Sequence, residues 1–198
     1  MELKFINYQY KTKNISFDIP KSTIIGITGS QSEDLIPIIC LKTLNKGQIT
    51  ANNEKVNKDN IYEYKKRISY VDKALNTHKH LVLDFINEHI KRNNLTIKDP
   101  NKKIKDSLRI VDLNEEILGK EIYNLSTSEK KILQFAVSLL SNPNIIVLNE
   151  PFKCLDKHNE KKIIMLIQRL KEQFKKTIII LSDDSNKLYK NHFVCIFI

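Results

Sequence analysis

Apolar residues follow two different patterns along this chain. Runs of mainly branched apolar residues are typical of strands buried on both faces of a sheet, and they occupy positions 23–28, 145–148, 177–181 and 193–198. Positions 2–6 and 14–19 form two further strand-like segments, joined by a turn at 11–13. The amino-terminal part of the chain is therefore predicted to be β-structure.

Between positions 76 and 121 the spacing of apolar residues changes to every three or four positions. This spacing places apolar side chains on one face of a helix. One such stripe consists of Val82, Phe85, Ile86, His89 and Ile90, and a second consists of Ile104, Leu108, Val111 and Leu113. Strand patterns on both sides of a helical block predict an α/β fold.

Two polar residues, Asn149 and Glu150, directly follow the apolar run at 145–148. The carboxyl ends of strands in an open α/β sheet are where ligands bind. This strand end is accordingly the first candidate for a functional site.

The order of motifs around this strand resembles the second half of an ATP-binding-cassette (ABC) ATPase subunit. A Leu-Ser pair at 125–126 precedes a helical stretch, a Glu-Pro pair stands at 150–151, and a Leu-Asp pair follows at 155–156. The resemblance covers nearly the whole chain. It implies one nucleotide-binding domain, residues 1–198, with a P-loop NTPase-like mixed sheet core flanked by helices. An antiparallel β part lies at its amino terminus, and a helical subdomain is inserted at about residues 76–140.

Several positions keep the residue type that the family uses to bind or hydrolyse ATP. These are Gly26, Gly29 and Ser30 of the phosphate loop, Ser126 of the signature motif, the catalytic Glu150 and the dimer-contact Asp156. Tyr10 matches by register the aromatic residue that stacks on adenine, with Tyr8 as the neighbour that could replace it. A tyrosine that only packs on the sheet edge explains the pattern equally well.

Five positions that contact phosphate or metal in the family carry a different residue here. Ser32 replaces the phosphate-loop lysine, and Glu33 replaces the hydroxyl that binds Mg²⁺. Lys73 stands in place of the metal-coordinating glutamine, Asn149 in place of the magnesium-supporting aspartate, and Asp183 in place of the histidine that contacts the γ-phosphate. By resemblance the cofactors are ATP and Mg²⁺; no spacing of potential ligands predicts a resident metal site of another kind.

The replaced residues change the charge that a phosphate would meet. Phosphate loops use backbone N–H groups, a helix N-terminus and a lysine, whereas Glu33 and Asp34 place carboxylates at that helix start. Residues 30–33 also form a capping-box pattern. By the resemblance, the family's next helix corresponds to residues 35–44, and Pro37 is compatible with it only if the helix starts late. We therefore expect weak or absent ATP binding and no hydrolysis at this site. The alternative is that this segment was never a phosphate site.

The signature motif is altered too, since Thr127 and Ser128 replace its two glycines. Glycine permits close backbone approach to a phosphate, and β-branched Thr127 disfavours it. Ser126 and Glu129 nevertheless have the spacing of a capping box, so an ordinary capped helix also explains this segment.

The resemblance implies a partner as well as a fold. ABC ATPase subunits dimerise head to tail and bind a transmembrane transporter subunit at the inner face of the cell membrane. We expect this chain to be a degenerate subunit of that kind, paired with an active homologous subunit. The alternatives are a conventional subunit with weak ATPase activity and a nucleic-acid- or ribosome-associated protein. The latter rests only on the net charge of +10, and no specific nucleic acid is expected.

Overall fold

A computed structural model describes residues 1–10, 13–29, 32–44, 46–75, 80–191 and 193–197, without the side chains of residues 10, 13 and 197. The strands are β1 (Leu3–Tyr10), β2 (Lys13–Ile19), β3 (Ile24–Thr28), β4 (Gln48–Ala51), β5 (Glu54–Lys55), β6 (Ile68–Val71), β7 (Ile145–Asn149), β8 (Thr177–Leu181) and β9 (Val194–Phe197). The α-helices are α1 (Ile36–Ile39), α2 (Ile61–Lys65), α3 (Val82–Arg92), α4 (Pro100–Ile110), α5 (Thr127–Ser138), α6 (Lys157–Glu172) and α7 (Ser185–Lys190).

The strands form two sheets of different kinds. The amino-terminal sheet is antiparallel with the order β2-β1-β4-β5, and the central sheet is parallel with the order β6-β7-β8-β3-β9. Each residue of β7 and β8 is buried, as expected for strands covered on both faces. This architecture confirms the predicted α/β fold with its antiparallel amino-terminal part.

Successive residues of the central strands belong to two separate cores. Ile146 and Ile178 pack with the helices α3 to α6, whereas their neighbours Ile145 and Ile179 pack with the antiparallel sheet and α1. The separation follows from the two-residue period of a strand. It also explains why these strands have continuous rather than alternating apolar sequences.

Helices α3, α4 and α5 lie in sequence between β6 and β7, and the two apolar stripes predicted α3 and α4. Val82 and Ile86 of α3 and Ile104 and Leu108 of α4 are buried. An inserted subdomain with boundaries at about residues 76 and 140 stays a prediction, and residues 76–79 lie outside the described chain. In the part of the chain that the structure covers, no helix is both long and apolar enough to cross a membrane.

The segment after the phosphate loop differs from the predicted helix at residues 35–44. A 3₁₀ turn at Ser32–Leu35 leads into the single α-helical turn α1, which ends at Ile39 and is followed by the C-cap Cys40. Pro37 lies in the first turn of α1, where its missing N–H leaves no intrahelical bond unmade. The helix therefore starts late, as Pro37 requires. It is also much shorter than expected, and Leu41 just beyond it has a φ of 54°.

Candidate functional site

The carboxyl ends of β3, β6, β7 and β8 bring most of the predicted site residues to one edge of the central sheet. Parallel strands in register place these ends together: Thr28 in β3 pairs with Phe197, Val71 in β6 with Leu148, and Asn149 in β7 with Leu181. Ser32, Lys73, Glu150 and Asp183 each follow within a few residues of one of these ends.

Of the phosphate-loop glycines, Gly26 and Gly29 have different structural reasons to be glycine. Gly26 lies within β3, and a Cβ there would come within 2.8 Å of Leu188 Cδ1 on α7, so it serves close packing. Gly29 has a φ of 143°, a conformation that disfavours other residues. Ser30, and with it the predicted capping box at 30–33, lies outside the described residues.

Ser32, at the position of the family's lysine, is buried with 2% exposure. Its backbone N–H donates to the Gly29 carbonyl over 3.0 Å. Its hydroxyl has no hydrogen-bond partner among the described residues. A short neutral side chain therefore points into a buried position and supplies no positive charge.

Lys73 and Glu33 form an ion pair across this edge of the sheet. Lys73 Nζ lies 3.1 Å from both carboxylate oxygens of Glu33, and the two side chains are 48% and 41% exposed. Lys73 is thus an exposed residue with a specific partner. The residues at the family's glutamine and magnesium-hydroxyl positions thus neutralise each other.

Asn149 belongs to a chain of hydrogen bonds that ends at a carboxylate. Its Nδ2 donates to the Tyr70 hydroxyl over 3.2 Å, and that hydroxyl donates to Asp72 Oδ1 over 2.9 Å. Burial has the largest effect on the pKa of Tyr70 and raises it well above its usual value. The hydrogen bond with Asn149 lowers this pKa, and the hydrogen bond with Asp72 raises it. Asn149 Oδ1 is buried without a partner among the described residues.

Glu150 is held by the neighbouring strand. Its Oε1 accepts a hydrogen bond from the Asp183 backbone N–H over 2.6 Å, and its Oε2 accepts one from the Ser182 hydroxyl over 3.1 Å. Its φ is 45°, and its own N–H donates to the Leu181 carbonyl. Asp183 is an exposed residue, and it contacts Glu150 through its backbone N–H. Both oxygens of the family's catalytic carboxylate are engaged within the protein.

Lys131 is a buried residue of this region that the sequence analysis missed. It is 3% exposed, and its Nζ donates to the carbonyls of Lys73 (2.6 Å), Glu150 (3.4 Å) and Asp72 (3.5 Å). Burial lowers its pKa, and Asp72 and Glu150 oppose that effect. Its spacing of four and eight residues from buried Phe135 and Leu139 was the available signal, since it places the lysine on the apolar face of α5.

The signature segment forms the capping box that its sequence predicts. Ser126 Oγ accepts from the Glu129 N–H over 3.2 Å, and the Ser126 N–H donates to Glu129 Oε2 over 2.8 Å. The bonds from the Ser126 backbone and hydroxyl lower the pKa of Glu129. Asp156 likewise caps α6, where bonds from the Asn159 backbone and side chain lower its pKa. Ser126 and Asp156 therefore both make hydrogen bonds to the first turn of the helix that follows them.

Of the two tyrosines considered for stacking on adenine, the structure describes the side chain of Tyr8. Tyr8 is buried with 1% exposure, and its hydroxyl donates to the Thr43 carbonyl over 3.1 Å. It packs edge-on against Phe5, so Tyr8 cannot replace Tyr10 as the stacking residue. The Tyr10 side chain lies outside the described residues, and its role stays a prediction.

The side chains at this edge do not fit a magnesium-bound triphosphate. Mg²⁺ prefers carboxylates, hydroxyls and water, but Glu33 is paired with Lys73 and Asn149 is neutral. The phosphate-loop position offers no lysine. Among the described residues at this edge, Ser32 Oγ and Asn149 Oδ1 are the buried side-chain atoms without a hydrogen-bond partner, and neither is charged.

Comparison with known proteins decides the family. The model of the ABC transporter family matches residues 12–153. The chain belongs to the ABC transporter family. The energy-coupling factor transporter ATP-binding protein EcfA1 of Streptococcus mutans is 25% identical over 95% of this chain and 71% of its own length. EcfA3 of Oenococcus oeni is 28% identical over 93% and 71%, respectively.

Solved structures share the fold of this ABC cassette. CbiO1 from Clostridium perfringens, described as part of the ABC transporter complex cbiONQ, superposes with a TM-score of 0.81 and 20% identity over 96% of this chain and 81% of its own. The cassette MJ0796 of Methanocaldococcus jannaschii, a dimer bound to ADP and Pi, gives a TM-score of 0.76 and 22% identity over 99% and 94%. The chain thus has the fold of an ATP-binding subunit, and ATP and Mg²⁺ are the cofactors of its family.

Proposed function

We propose that this chain is a hydrolysis-deficient ATP-binding subunit of an ABC membrane transporter, and that its own phosphate site binds MgATP weakly or not at all. The observation that carries the proposal is the ion pair between Lys73 and Glu33. Phosphoryl transfer depends on positive charge and metal placed around the phosphates. At this edge of the sheet the lysine is already neutralised by a carboxylate of the same chain.

Glu150 supports the same proposal. A catalytic carboxylate must be within reach of the water that it orients. Here Oε2 accepts a hydrogen bond from Ser182 and Oε1 accepts one from the Asp183 backbone, and these bonds hold the carboxylate against the end of β8. Asn149 stands where the family has an aspartate and bonds to the Tyr70 hydroxyl, so a metal would find one carboxylate fewer here. We infer that the chain contributes shape and contacts while a homologous active subunit hydrolyses ATP.

The proposed assembly is a heterodimer with that active subunit, bound to a transmembrane subunit at the inner face of the cell membrane. Support comes from relatives named as energy-coupling factor ATP-binding proteins and from a structural neighbour described as part of a transporter complex. In a head-to-tail dimer Ser126 would face the partner's nucleotide. Asp156 would lie at the same contact. A homodimer would contain two degenerate sites.

Calorimetric titration of MgATP into the purified chain tests the nucleotide half of the proposal. We expect no saturable heat up to millimolar MgATP, with MJ0796 as a positive control for the titration. Glu33→Gln should increase the affinity for ATP, because it frees the Lys73 ammonium and removes a repelling carboxylate. Lys73→Gln is the matched control and should not. Micromolar binding by the unmodified chain would overturn the proposal.

A conventional subunit with weak ATPase activity is the second candidate, favoured by the retained Glu150 at the end of β7. It predicts magnesium-dependent phosphate release that Glu150→Gln abolishes. Our proposal predicts that the unmodified chain and Glu150→Gln release phosphate at the same background rate. Co-purification of a homologous ATPase subunit and a transmembrane subunit with the tagged chain tests the assembly separately.

A further inference from the structure

Carboxylates outnumber cations where β3, β6, β7 and β8 end. The segments that follow these strand ends are 32–35, 72–75, 150–153 and 182–184. Together they contain six acidic residues, which we call the acidic edge: Glu33, Asp34, Asp72, Glu150, Asp183 and Asp184. The lysines of the same segments are Lys73 and Lys153. The charge of the acidic edge is therefore opposite to the net charge of +10 of the whole chain.

The acidic edge is neutralised only in part within the chain. Glu33 is paired with Lys73. Lys131 is buried nearby, but its Nζ donates to backbone carbonyls. For four carboxylates, no side-chain cation of the described residues lies within 4 Å; these are Asp72, Glu150, Asp183 and Asp184. A cation brought to this edge would therefore meet uncompensated negative charge.

The hydrogen bonds of Asn149 show which polarity is left unmet here. The Asp72 carboxylate can only accept, so the Tyr70 hydroxyl gives its one proton to Asp72 and must accept from Asn149. The donating atom of Asn149 is therefore Nδ2, and the atom left without a partner is the acceptor Oδ1. Asn149 is 2% exposed, and an unpaired buried acceptor is costly. An N–H donor could satisfy this atom, whereas a phosphate oxygen could not.

The acceptors of this region are spread along the edge of the sheet. Ser32 Oγ, also buried and without a partner among the described residues, adds an acceptor beyond the end of β3. Among the described residues, no three acidic, histidine or cysteine side chains are placed to hold one metal ion. A guanidinium carries five N–H donors in a planar fork and forms paired bonds with carboxylates. It therefore suits spread acceptors better than a single point charge does.

We propose that the acidic edge binds an arginine side chain of a protein partner, at the place where the family binds nucleotide phosphates. The inference rests on the proposed function, because a triphosphate at this edge would occupy the same space. The head-to-tail assembly proposed above would bring another subunit against this edge, which favours a protein as the source of the arginine. The net charge of +10 opposes non-specific attraction of cations.

Fluorescence anisotropy of a labelled peptide made of Arg and Gly tests this inference on the full chain, at low salt and without nucleotide. The matched peptide carries citrulline, which keeps the shape of arginine but has no charge. We expect saturable binding of the arginine peptide, at least about tenfold weaker binding of the citrulline peptide, and weakening with added salt. Equal binding of both peptides, or no saturable binding of the arginine peptide, would overturn the proposal.

Two double variants separate a specific site from overall charge. Asp72→Asn/Asp183→Asn keeps side-chain shape at two exposed residues and should weaken binding of the arginine peptide about tenfold or more. The control Asp59→Asn/Glu172→Gln removes the same charge from exposed positions that precede β6 and β8, and it should change binding less than about twofold. Equal losses would mean non-specific attraction and reject the site.

The single variant Asp183→Asn repeats the test if the double variant fails to fold, and it should still weaken binding severalfold. Spermidine serves as a competitor. If it binds more tightly than the arginine peptide and displaces it, the occupant is a small polyamine and the proposal is wrong.

The calorimetric titration of MgATP separates this inference from the proposed function on which it rests. Micromolar binding of MgATP would overturn both. A titration without saturable heat, together with no binding of the arginine peptide, would overturn this inference alone. Saturable binding of the arginine peptide without binding of MgATP is the expected result.

Discussion

The two halves of the candidate site have departed from the family in different ways. In the phosphate-loop half, from β3 to α1, residue identities have changed and the local helix is one turn long. In the glutamate half, from α5 to the end of β7, Ser126 and Glu150 are retained, yet their hydrogen bonds are made within the chain. Retention of Ser126 and Glu150 therefore does not mean that their side chains are free to contact a nucleotide. A replaced residue such as Lys73 can acquire a new partner within the chain.

The two halves also differ in how their charges are compensated. The ion pair that joins Glu33 of the phosphate-loop half to Lys73 after β6 is about half exposed, and pairs of this kind contribute little to stability. Lys131 of the glutamate half is buried and supports three backbone carbonyls. Loss of a buried donor costs more than loss of an exposed ion pair. The charges of the phosphate-loop half should thus decide whether an anionic ligand binds. The glutamate half should contribute more to the stability of the fold.

The largest expected effect comes from Lys131→Met. Methionine keeps the approximate length of the side chain but leaves the carbonyls of Lys73 and Glu150 without this donor, which should lower the free energy of unfolding by about 2–3 kcal/mol. Urea denaturation measures it. Lys130→Met, one position away on the outer side of α5, is the control and should cost under about 0.5 kcal/mol. Equal effects would show that the buried ammonium has no special role.

The pH dependence of the same pair of proteins sharpens this test. Because the folded-state pKa of Lys131 is lowered from 10.5, the unfolded chain binds more protons between that lowered pKa and 10.5. The stability of the natural protein relative to Lys131→Met should therefore rise with pH through this window. Unfolding free energies measured from pH 7 to pH 10.5 test the sign. A relative stability that falls with pH would contradict the lowered pKa.

The capping box should show an intermediate effect. Ser126→Ala removes the side-chain acceptor for the Glu129 N–H and should cost about 1 kcal/mol of unfolding free energy. Ser126→Asp restores an N-cap acceptor and should recover most of the loss. Thermal or urea unfolding provides the measurement. An undiminished stability in Ser126→Ala would mean that the local cap is dispensable.

The smallest expected effect is the coupling between Glu33 and Lys73. A double-mutant cycle with Glu33→Gln and Lys73→Gln should give an interaction free energy of under about 1 kcal/mol at low salt, decreasing as salt screens the pair. A coupling of several kcal/mol would contradict the comparison, because the phosphate-loop half would then also be a main source of stability.

Local patterns alone determined a large part of this protein. Continuous runs of branched apolar residues predicted β7 and β8, the three-to-four-residue period predicted α3 and α4, and the Ser126–Glu129 spacing predicted a capping box. Each of these signals lies within one short stretch of sequence. The order of motifs indicated the ABC family, and the family model and fold confirmed it.

Tertiary structure alone decided which partner each polar residue has. Glu33 meets Lys73 forty positions away, and Glu150 meets Ser182 and the Asp183 backbone. The sheet order β6-β7-β8-β3-β9 brings together strand ends that are distant in sequence, and no local period encodes that adjacency. The burial of Tyr8 and Lys131 likewise depends on what packs over them. The sequence therefore determined the elements and the family, whereas the packing of distant strands decided which charges neutralise each other.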